Sequence, residues 1–407
     1  MNCYLETGKK SDCYGCGACA EVCKFSALSM QYDDEGFAYP LINRNLCKNC
    51  GQCIKVCPKT SAEQLKNTSA QMAFGGYILD ADILSKSTSG GAFSAIVKAF
   101  AAGKDSSKIK IFGVCATSVS TVCHKDFSPT DNLDGIRTSK YVQTQTREGV
   151  FYRVTQALKE DSFVLFSGTP CQVAALKKYI GKMDTSKLLT VEVICEGVPS
   201  PIFIKKQVKF VEEKFGKKIV DVNYRYKDND KWDFQVMKFS FSDGSYHKIE
   251  RWFNPFWSIW LQHLMSRPSC YECDFCTRNR VADITLGDLW GVHIYCPDLY
   301  NDNKGTSLIV CNTSKGREFV EKAAEFMHIR QLDIDIAIKY QSPLRKNIAP
   351  NSNRASFMED LKNLDYQELC NKWAIKSSLK LLISKYIFGT NRQKVFWWKL
   401  KQYFHLN

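Results

Sequence analysis

Three features of the 407-residue sequence predict a multidomain α+β chain. Eight cysteines fall in two matching runs at the N-terminus, strand–turn–helix units recur through the middle, and a basic amphipathic tail closes the chain. The expected layout is a small metal-cluster module over residues 1–65, an α/β body, and a helical basic tail over residues 331–407. Two or three domains suit this length.

The first run is Cys13, Cys16, Cys19 and Cys23; the second is Cys47, Cys50, Cys53 and Cys57, followed by Pro58. Both read C-x2-C-x2-C-x3-C, the run of bacterial two-cluster ferredoxins. In that pattern a close triplet supplies three thiolates to one cluster and the fourth cysteine crosses to the other. Cys13, Cys16, Cys19 and Cys57 are therefore expected to hold one 4Fe-4S cluster. Cys47, Cys50, Cys53 and Cys23 are expected to hold the second. The competing reading is a pair of zinc sites, but zinc favours paired C-x2-C or Cys/His spacings. Residues 31–45 read as short strands and turns, and the polar stretch 62–73 as a linker.

Next, Ser87-Thr88-Ser89-Gly90-Gly91 leads into a helix whose Phe93, Ile96, Val97 and Phe100 share one face. Such a loop can cradle an anion, or simply cap the helix. Phe163–Phe166 reads as a buried strand, Ser167–Pro170 as a turn, and Cys171–Ile180 as a helix. Thr169 suits the N-cap and Pro170 the first helical position. Cys171 then sits in the first turn, where a nucleophile, a cluster ligand or an inert residue are all open. Such units predict an α/β layer architecture for the body. Cys195 ends a further strand, 203–218 is a charged amphipathic stretch, and 219–249 reads as a hairpin pair. Trp252, Phe253, Phe256, Trp257 and Trp260 read as core, with a stacking platform as the alternative.

Cys270, Cys273 and Cys276 form a third C-x2-C-x2-C triplet. It needs a fourth ligand, for which Cys171 and Cys195 are candidates. Alternatively, Cys270 and Cys273 ligate together with Cys171 and Cys195; a structural zinc is the competing reading. Cys3, Cys115, Cys123, Cys296, Cys311 and Cys370 have no ligand spacing and read as small buried hydrophobes.

Several chemistries lack their signals. There is no G-x-G-x-x-G, no G-x-x-x-x-G-K-[ST], no C-x3-C-x2-C, and no readable triad among six histidines. The opening MNCYLETGKK lacks an apolar signal region, and no apolar run approaches a membrane span of roughly 18 residues. Nineteen cysteines then suit a reducing cytoplasm. Of the net +14, residues 372–407 carry +8 with no acidic residue. The remaining body is mildly basic and shows no nucleic-acid-binding motif.

The ordered motifs SKSTSGGAFSAI, GIRTSKYVQ, FSGTPCQVAAL, CEGVPSP and RPSCYECDFCTRNRVADITLGDLWG, behind a ferredoxin run, resemble the coenzyme F420 hydrogenase/dehydrogenase beta subunit family. The resemblance is to bacterial members with a fused N-terminal ferredoxin domain. It covers roughly residues 10–295. It implies an N-terminal-like region over 75–155 and a C-terminal-like region over 156–330, carrying FAD and a third 4Fe-4S cluster. Ser87, Ser89, Gly90, Gly91, Ser139, Lys140, Tyr141, Gln143, Gly168, Thr169 and Pro170 would then lie at the flavin. Cys171, Cys195, Cys270 and Cys273 fall at recurrent family positions, whereas Cys276 is less usual there. No catalytic residue is identified.

The expected function is an iron–sulfur flavoprotein oxidoreductase, exchanging electrons between clusters and a hydride donor or acceptor that is F420-like, nicotinamide or other. A redox partner would meet it at the ferredoxin domain. One alternative is a relay subunit serving a catalytic partner, as in surface-polysaccharide biosynthesis; another is a zinc-stabilised binding module. In the tail, amphipathic pieces split at Gly389-Thr390-Asn391 read either as a helical pair docked on the body or as a peripheral anchor on the inner membrane face.

Overall fold

A computed structural model describes residues 3–145, 149–228, 231–376 and 378–388, and in the tail 393, 396–397, 399–400 and 403–404. Its strands are β1 (Leu28–Tyr32), β2 (Ala38–Ile42), β3 (Met72–Ile78), β4 (Ile109–Ser118), β5 (Thr121–Phe127), β6 (Thr144–Gln145) and β7 (Phe163–Gly168). They continue with β8 (Leu188–Val193), β9 (Ile219–Asp228), β10 (Lys231–Phe241), β11 (Tyr246–Ile249), β12 (Ile284–Asp288), β13 (Ser307–Cys311) and β14 (Met327–Leu332).

The body is built on one sheet, ordered β14-β3-β13-β12-β8-β7-β4-β5-β6. Its centre, β12-β8-β7-β4, is parallel; the flanks are largely antiparallel. A parallel centre must be covered on both faces, so its strands are apolar throughout. Val164, Leu165, Phe166, Leu189, Val191 and Ile284 are fully buried. Helices Ala92–Ala101 and Ser314–Ala323 pack on one face, and Val150–Lys159 and Pro170–Ile180 on the other. The expected helix face of Phe93, Ile96, Val97 and Phe100 is present, as is the cap of the second unit. Thr169 and Gln172 form a reciprocal capping box, with Pro170 at the first helical position.

Other expectations change in detail. The hairpin pair over 219–249 is a three-stranded meander, β11-β10-β9. The 62–73 stretch is not a free linker. Ala62 is fully buried, and Asn67 bonds through its amide to Arg280 O and through Nδ2 to Val281 O and Ala282 O. Polar composition suggested solvent, but these polar groups are spent on the body. Of the six unassigned cysteines five are buried, while Cys370 is half-buried against the core. Of the aromatic run, Phe256, Trp257 and Trp260 are core and Phe253 is exposed. In the tail, helix Leu379–Phe388 leaves Leu379, Ile383, Tyr386 and Ile387 exposed, while Lys385 pairs with Glu250. The expected break at 389–391 and Trp398 lie outside the described residues. Among the described residues no helix is long and apolar enough to cross a membrane.

The N-terminal module packs into the body's core. Phe37 and Tyr39 share a cluster with Phe203, Tyr224, Trp260 and Phe357, from four other parts of the chain. Arg267 fastens the joint. Its side chain is buried and donates from Nε to Cys13 O at 2.8 Å and from Nη2 to Ala38 O at 2.9 Å. Its guanidinium lies 4.3 Å from the centre of the Tyr39 ring. Arg354 and Lys362 add ion pairs to Glu35 and Asp34 in the turn between β1 and β2.

Lysine has no planar fork to reproduce these bonds. Arg267→Lys should lower unfolding stability by about 2–4 kcal/mol, read by chemical denaturation. A second expectation concerns His124, buried on β5, stacked on Phe166 and donating from Nε2 to Ser167 O at 3.0 Å. Burial lowers its pKa from 6.5 to about 4. The folded state therefore binds fewer protons than the unfolded state across that window, so stability is intact above pH 6.5 and falls as pH drops towards 4. The loss approaches roughly 3 kcal/mol and should be smaller in His124→Phe, measured by denaturation against pH.

Candidate functional site

The two cysteine runs repeat in conformation as well as spacing. Gly15 and Gly17 have φ of 71° and 76°; Asn49 and Gly51, at the same places in the second run, have φ of 51° and 70°. These left-handed residues turn the chain round the loop, and a one-turn helix then carries Cys19 or Cys53. Gly15 is also pressed by its surroundings: an added Cβ would lie 2.4 Å from Gln143 Nε2.

Several of these sulfurs lie near one another, and Cys57 also shares a hydrogen bond with Cys3. Cys57 lies within electrostatic range of Cys16, and Cys23 within range of Cys53. Cys19 is in range of Cys13, Cys16 and Cys53, so the two sets adjoin. Amides donate to sulfur from Gly15 to Cys13 at 3.3 Å and from Ala27 to Cys23 at 3.4 Å. Such bonds stabilise thiolates and tune cluster potential. Cys50 is exposed, whereas the first triplet lies inward, with Cys16, Cys171 and Cys273 packed against one core that contains Phe275. Burial pushes the Cys16 thiol up to about 12, so loading metal must displace its proton.

A second gathering of sulfur lies directly inward. β7 and β8 are parallel neighbours, so their C-terminal ends place Cys171 beside Cys195. Cys273 and Cys270 join them, and Cys276 bonds to Cys273. Cys171 is also in range of Cys16 in the first module. The Gly197 amide donates to Cys195 Sγ at 3.4 Å, and Thr169 Oγ1 lies 3.2 Å from Cys171 Sγ. Burial raises Cys195 and Cys270 to about 12 and Cys171 further. A buried ion pair holds the triplet loop in place. Glu192, on β8, accepts from Arg280 Nε, the Ala282 amide and Thr285 Oγ1. Arg280 Nη1 in turn bonds Phe275 O and Thr277 O. Among the described residues no group of three or more His, Cys, Asp or Glu meets the geometry for one metal ion. Thiolates of a multi-iron cluster spread over several irons and need not converge on one ion.

The residues expected at a flavin divide into two groups. Ser87 Oγ donates to Ile83 O, Ser89 Oγ donates to Thr306 O, and the Gly90 amide donates to Ser307 Oγ. Gly91 turns the chain into helix Ala92–Ala101, and the Ser139 amide donates to Thr88 Oγ1. This group is sewn to the sheet by its own hydroxyls. Lys140 donates to Gly135 O and Thr138 O, and burial lowers its pKa to about 8. The second group is different. Tyr141 packs against Tyr224, Phe256, Trp257 and Trp260 and bonds to Arg225. Gln143 faces Gly15 and Arg267, while Gln172 Nε2, beyond Gly168, Thr169 and Pro170, donates to Thr144 Oγ1.

Around Tyr141, buried polar atoms are left without partners: Gln143 Nε2, Tyr224 OH, Arg225 Nε, Asn254 Nδ2 and Trp257 Nε1. Burial works against charge on Arg225, but Asp288, 2.5 Å away, prevails and raises its pKa. Trp232 Nε1 also donates to Asp288, and Trp232 stacks on Trp290. Arg251 is in range of Arg225, Tyr141 and Glu196, the residue after Cys195. Arg225, Tyr224 and Arg251 escaped the reading of the sequence. Each is an isolated residue in or beside an alternating strand, with no motif spacing to mark it.

Residues 161–335 match the model for the C-terminal part of the coenzyme F420 hydrogenase/dehydrogenase beta subunit. Over that segment the chain is similar to this family. Residues 12–61 match a 4Fe-4S dicluster domain. No curated protein matches the chain. Among solved structures, a chain of the F420-reducing [NiFe] hydrogenase complex from Methanosarcina barkeri is similar at 16% identity and a TM-score of 0.43. That alignment covers 74% of this chain and 91% of the other. The protein is thus a mixed α/β multidomain chain with an N-terminal ferredoxin-type 4Fe-4S domain, and an iron–sulfur electron-transfer protein related to the hydrogenase beta subunit.

Proposed function

We propose that this chain is an iron–sulfur flavoprotein oxidoreductase, moving electrons between a hydride donor or acceptor at FAD and three 4Fe-4S clusters. One observation carries the reading: buried donors around Tyr141 lack partners, and Arg251, in range of Tyr141 and Arg225, is also in range of Glu196, the residue after Cys195. Buried polar atoms without partners are costly, and a polar cofactor ring seated among them would supply the missing acceptors. FAD supplies exchange between a two-electron hydride and single electrons.

The residues divide the work. Tyr141 and the indoles beside it provide aromatic walls and exclude water. Arg225, kept charged by Asp288, and Gln143 orient acceptor atoms and favour negative charge on the bound ring. Loop 87–91, already tied to the sheet, holds the neighbouring Ser139–Tyr141 segment in place. Cys171, Cys195, Cys270 and Cys273 hold the inner cluster. Both Cys171 and Cys276 are in range of Cys195 and Cys273; Cys171 is favoured because it sits in the first turn of a helix, where the dipole supports a thiolate, and alone is in range of Cys16. The substrate is a small hydride carrier, and the outer clusters pass electrons to or from a partner.

Anaerobically purified protein should contain about twelve irons per chain, as three cubanes require, and one FAD. Cys171→Ser should lower iron to about eight, whereas Cys276→Ser should leave it unchanged. Iron unaffected by Cys171→Ser would remove this ligand assignment. Arg225→Met should weaken FAD retention about tenfold or more, a hydrogen bond from a charged group contributing ~1.5–3 kcal/mol, with iron unchanged. Flavin-free protein after gentle anaerobic purification would overturn the flavoprotein reading.

A further inference from the structure

The cluster module shows one face that the proposed chemistry leaves unexplained. Cys50 is the one exposed cysteine among the described residues. Lys24, Arg44, Lys48 and Lys55 are exposed, close in sequence to the ligands Cys23, Cys47, Cys50 and Cys53. None of these four cations forms an ion pair among the described residues. Of the other cations in and just after the module, Lys10 pairs with Asp33, Lys59 with Asp274 and Lys66 with Glu63, while Lys9, before the first cysteine run, forms no ion pair among the described residues.

The distribution of acid explains the asymmetry. Between Val22 and Ala62 the only acidic residues are Asp33, Asp34 and Glu35. All three are taken up by Lys10, Lys362 and Arg354 at the turn between β1 and β2. The face over the outer cysteines therefore keeps an uncompensated positive field. Phe25, next to Lys24, and Leu46, between Arg44 and Lys48, are 44% and 45% exposed and add apolar surface among these charges. A small apolar contact set among charges suits transient electron transfer, where association is steered electrostatically and the interface stays small.

We propose that this face docks a small acidic one-electron carrier protein, bringing its redox centre to the cluster beneath Cys50. The proposal rests on the cluster assignment above. In the exchange one electron leaves the reduced carrier and reduces one cluster here; no bond forms or breaks.

The test uses the anaerobic holoprotein and an acidic bacterial ferredoxin as probe. Binding of the oxidised, nitrogen-15-labelled ferredoxin is followed by NMR shifts, and electron transfer from its reduced form by stopped flow. Raising ionic strength from low to high salt should weaken binding and slow transfer by about tenfold or more. The triple change Lys24→Glu, Lys48→Glu and Lys55→Glu should do the same at low salt. The equal charge change at exposed Lys182, Lys205 and Lys214 should have less than a twofold effect. Photoreduction by a neutral deazaflavin should proceed equally in all forms and report the clusters by electron paramagnetic resonance. Normal cluster signals with binding indifferent to salt and to the triple change would overturn the docking face alone. Equal weakening by the control triple would also overturn it, since net charge would then suffice. Absence of cluster signals in the unaltered protein would overturn the cluster assignment and the docking proposal together.

Discussion

The placement of the redox machinery depends on one buried cation. Arg267 has no carboxylate partner among the ion pairs described; it is held by carbonyl oxygens of the ferredoxin module and by the faces of Phe37 and Tyr39. Burying a guanidinium this way is tolerable only because its donors find acceptors in fixed positions. It begins the segment that leads through Pro268 to Cys270. One side chain therefore touches the backbone of Cys13, the first cysteine of the ferredoxin runs, and stands three residues from Cys270. Gln143, on the remaining nitrogen, extends the same contact towards Tyr141.

Around that joint the body solves two packing problems with one device. Parallel strands β7 and β8 must be covered on both faces, and their apolar residues fix their height in the sheet. The same register brings Cys171 and Cys195 together at the strand ends, where open α/β sheets commonly bind ligands. The Glu192–Arg280 pair then uses the low dielectric of the interior. Its bonds go to the triplet loop and to the neighbouring strand β12, so the charge is compensated and the loop is held. A second contact, Tyr14 and Lys59 on Asp274, seats the outer module against that loop.

Much of the cluster module was legible because metal ligation is local. A C-x2-C-x2-C spacing encodes chemistry within a few residues, and Gly17 and Gly51 mark the turns that such spacing needs. The strand–turn–helix at Phe163–Ile180 was legible for the same reason: cap, proline and apolar run are neighbours in sequence. Arg267 was not, since its acceptors are 254 and 229 residues away and a lone arginine announces nothing. Arg225 was hidden similarly in an alternating strand. The 62–73 stretch misled because polar composition cannot distinguish hydrogen bonds to water from those to Val281 and Ala282. The aromatic run showed its bulk but not that Tyr141 would fit among it.

The ion pair between Arg354 and Glu35 has a further consequence, in the order of assembly. Its partners are 319 residues apart. During synthesis the ferredoxin module emerges well before Arg354 and Lys362, which supply two of the three cations that neutralise its acidic turn. Contacts of such separation carry a high loop-closure cost and form late. The module is therefore incompletely clasped while the body is made. Docking of residues 354–362 closes the turn only after the strands of the sheet have been made.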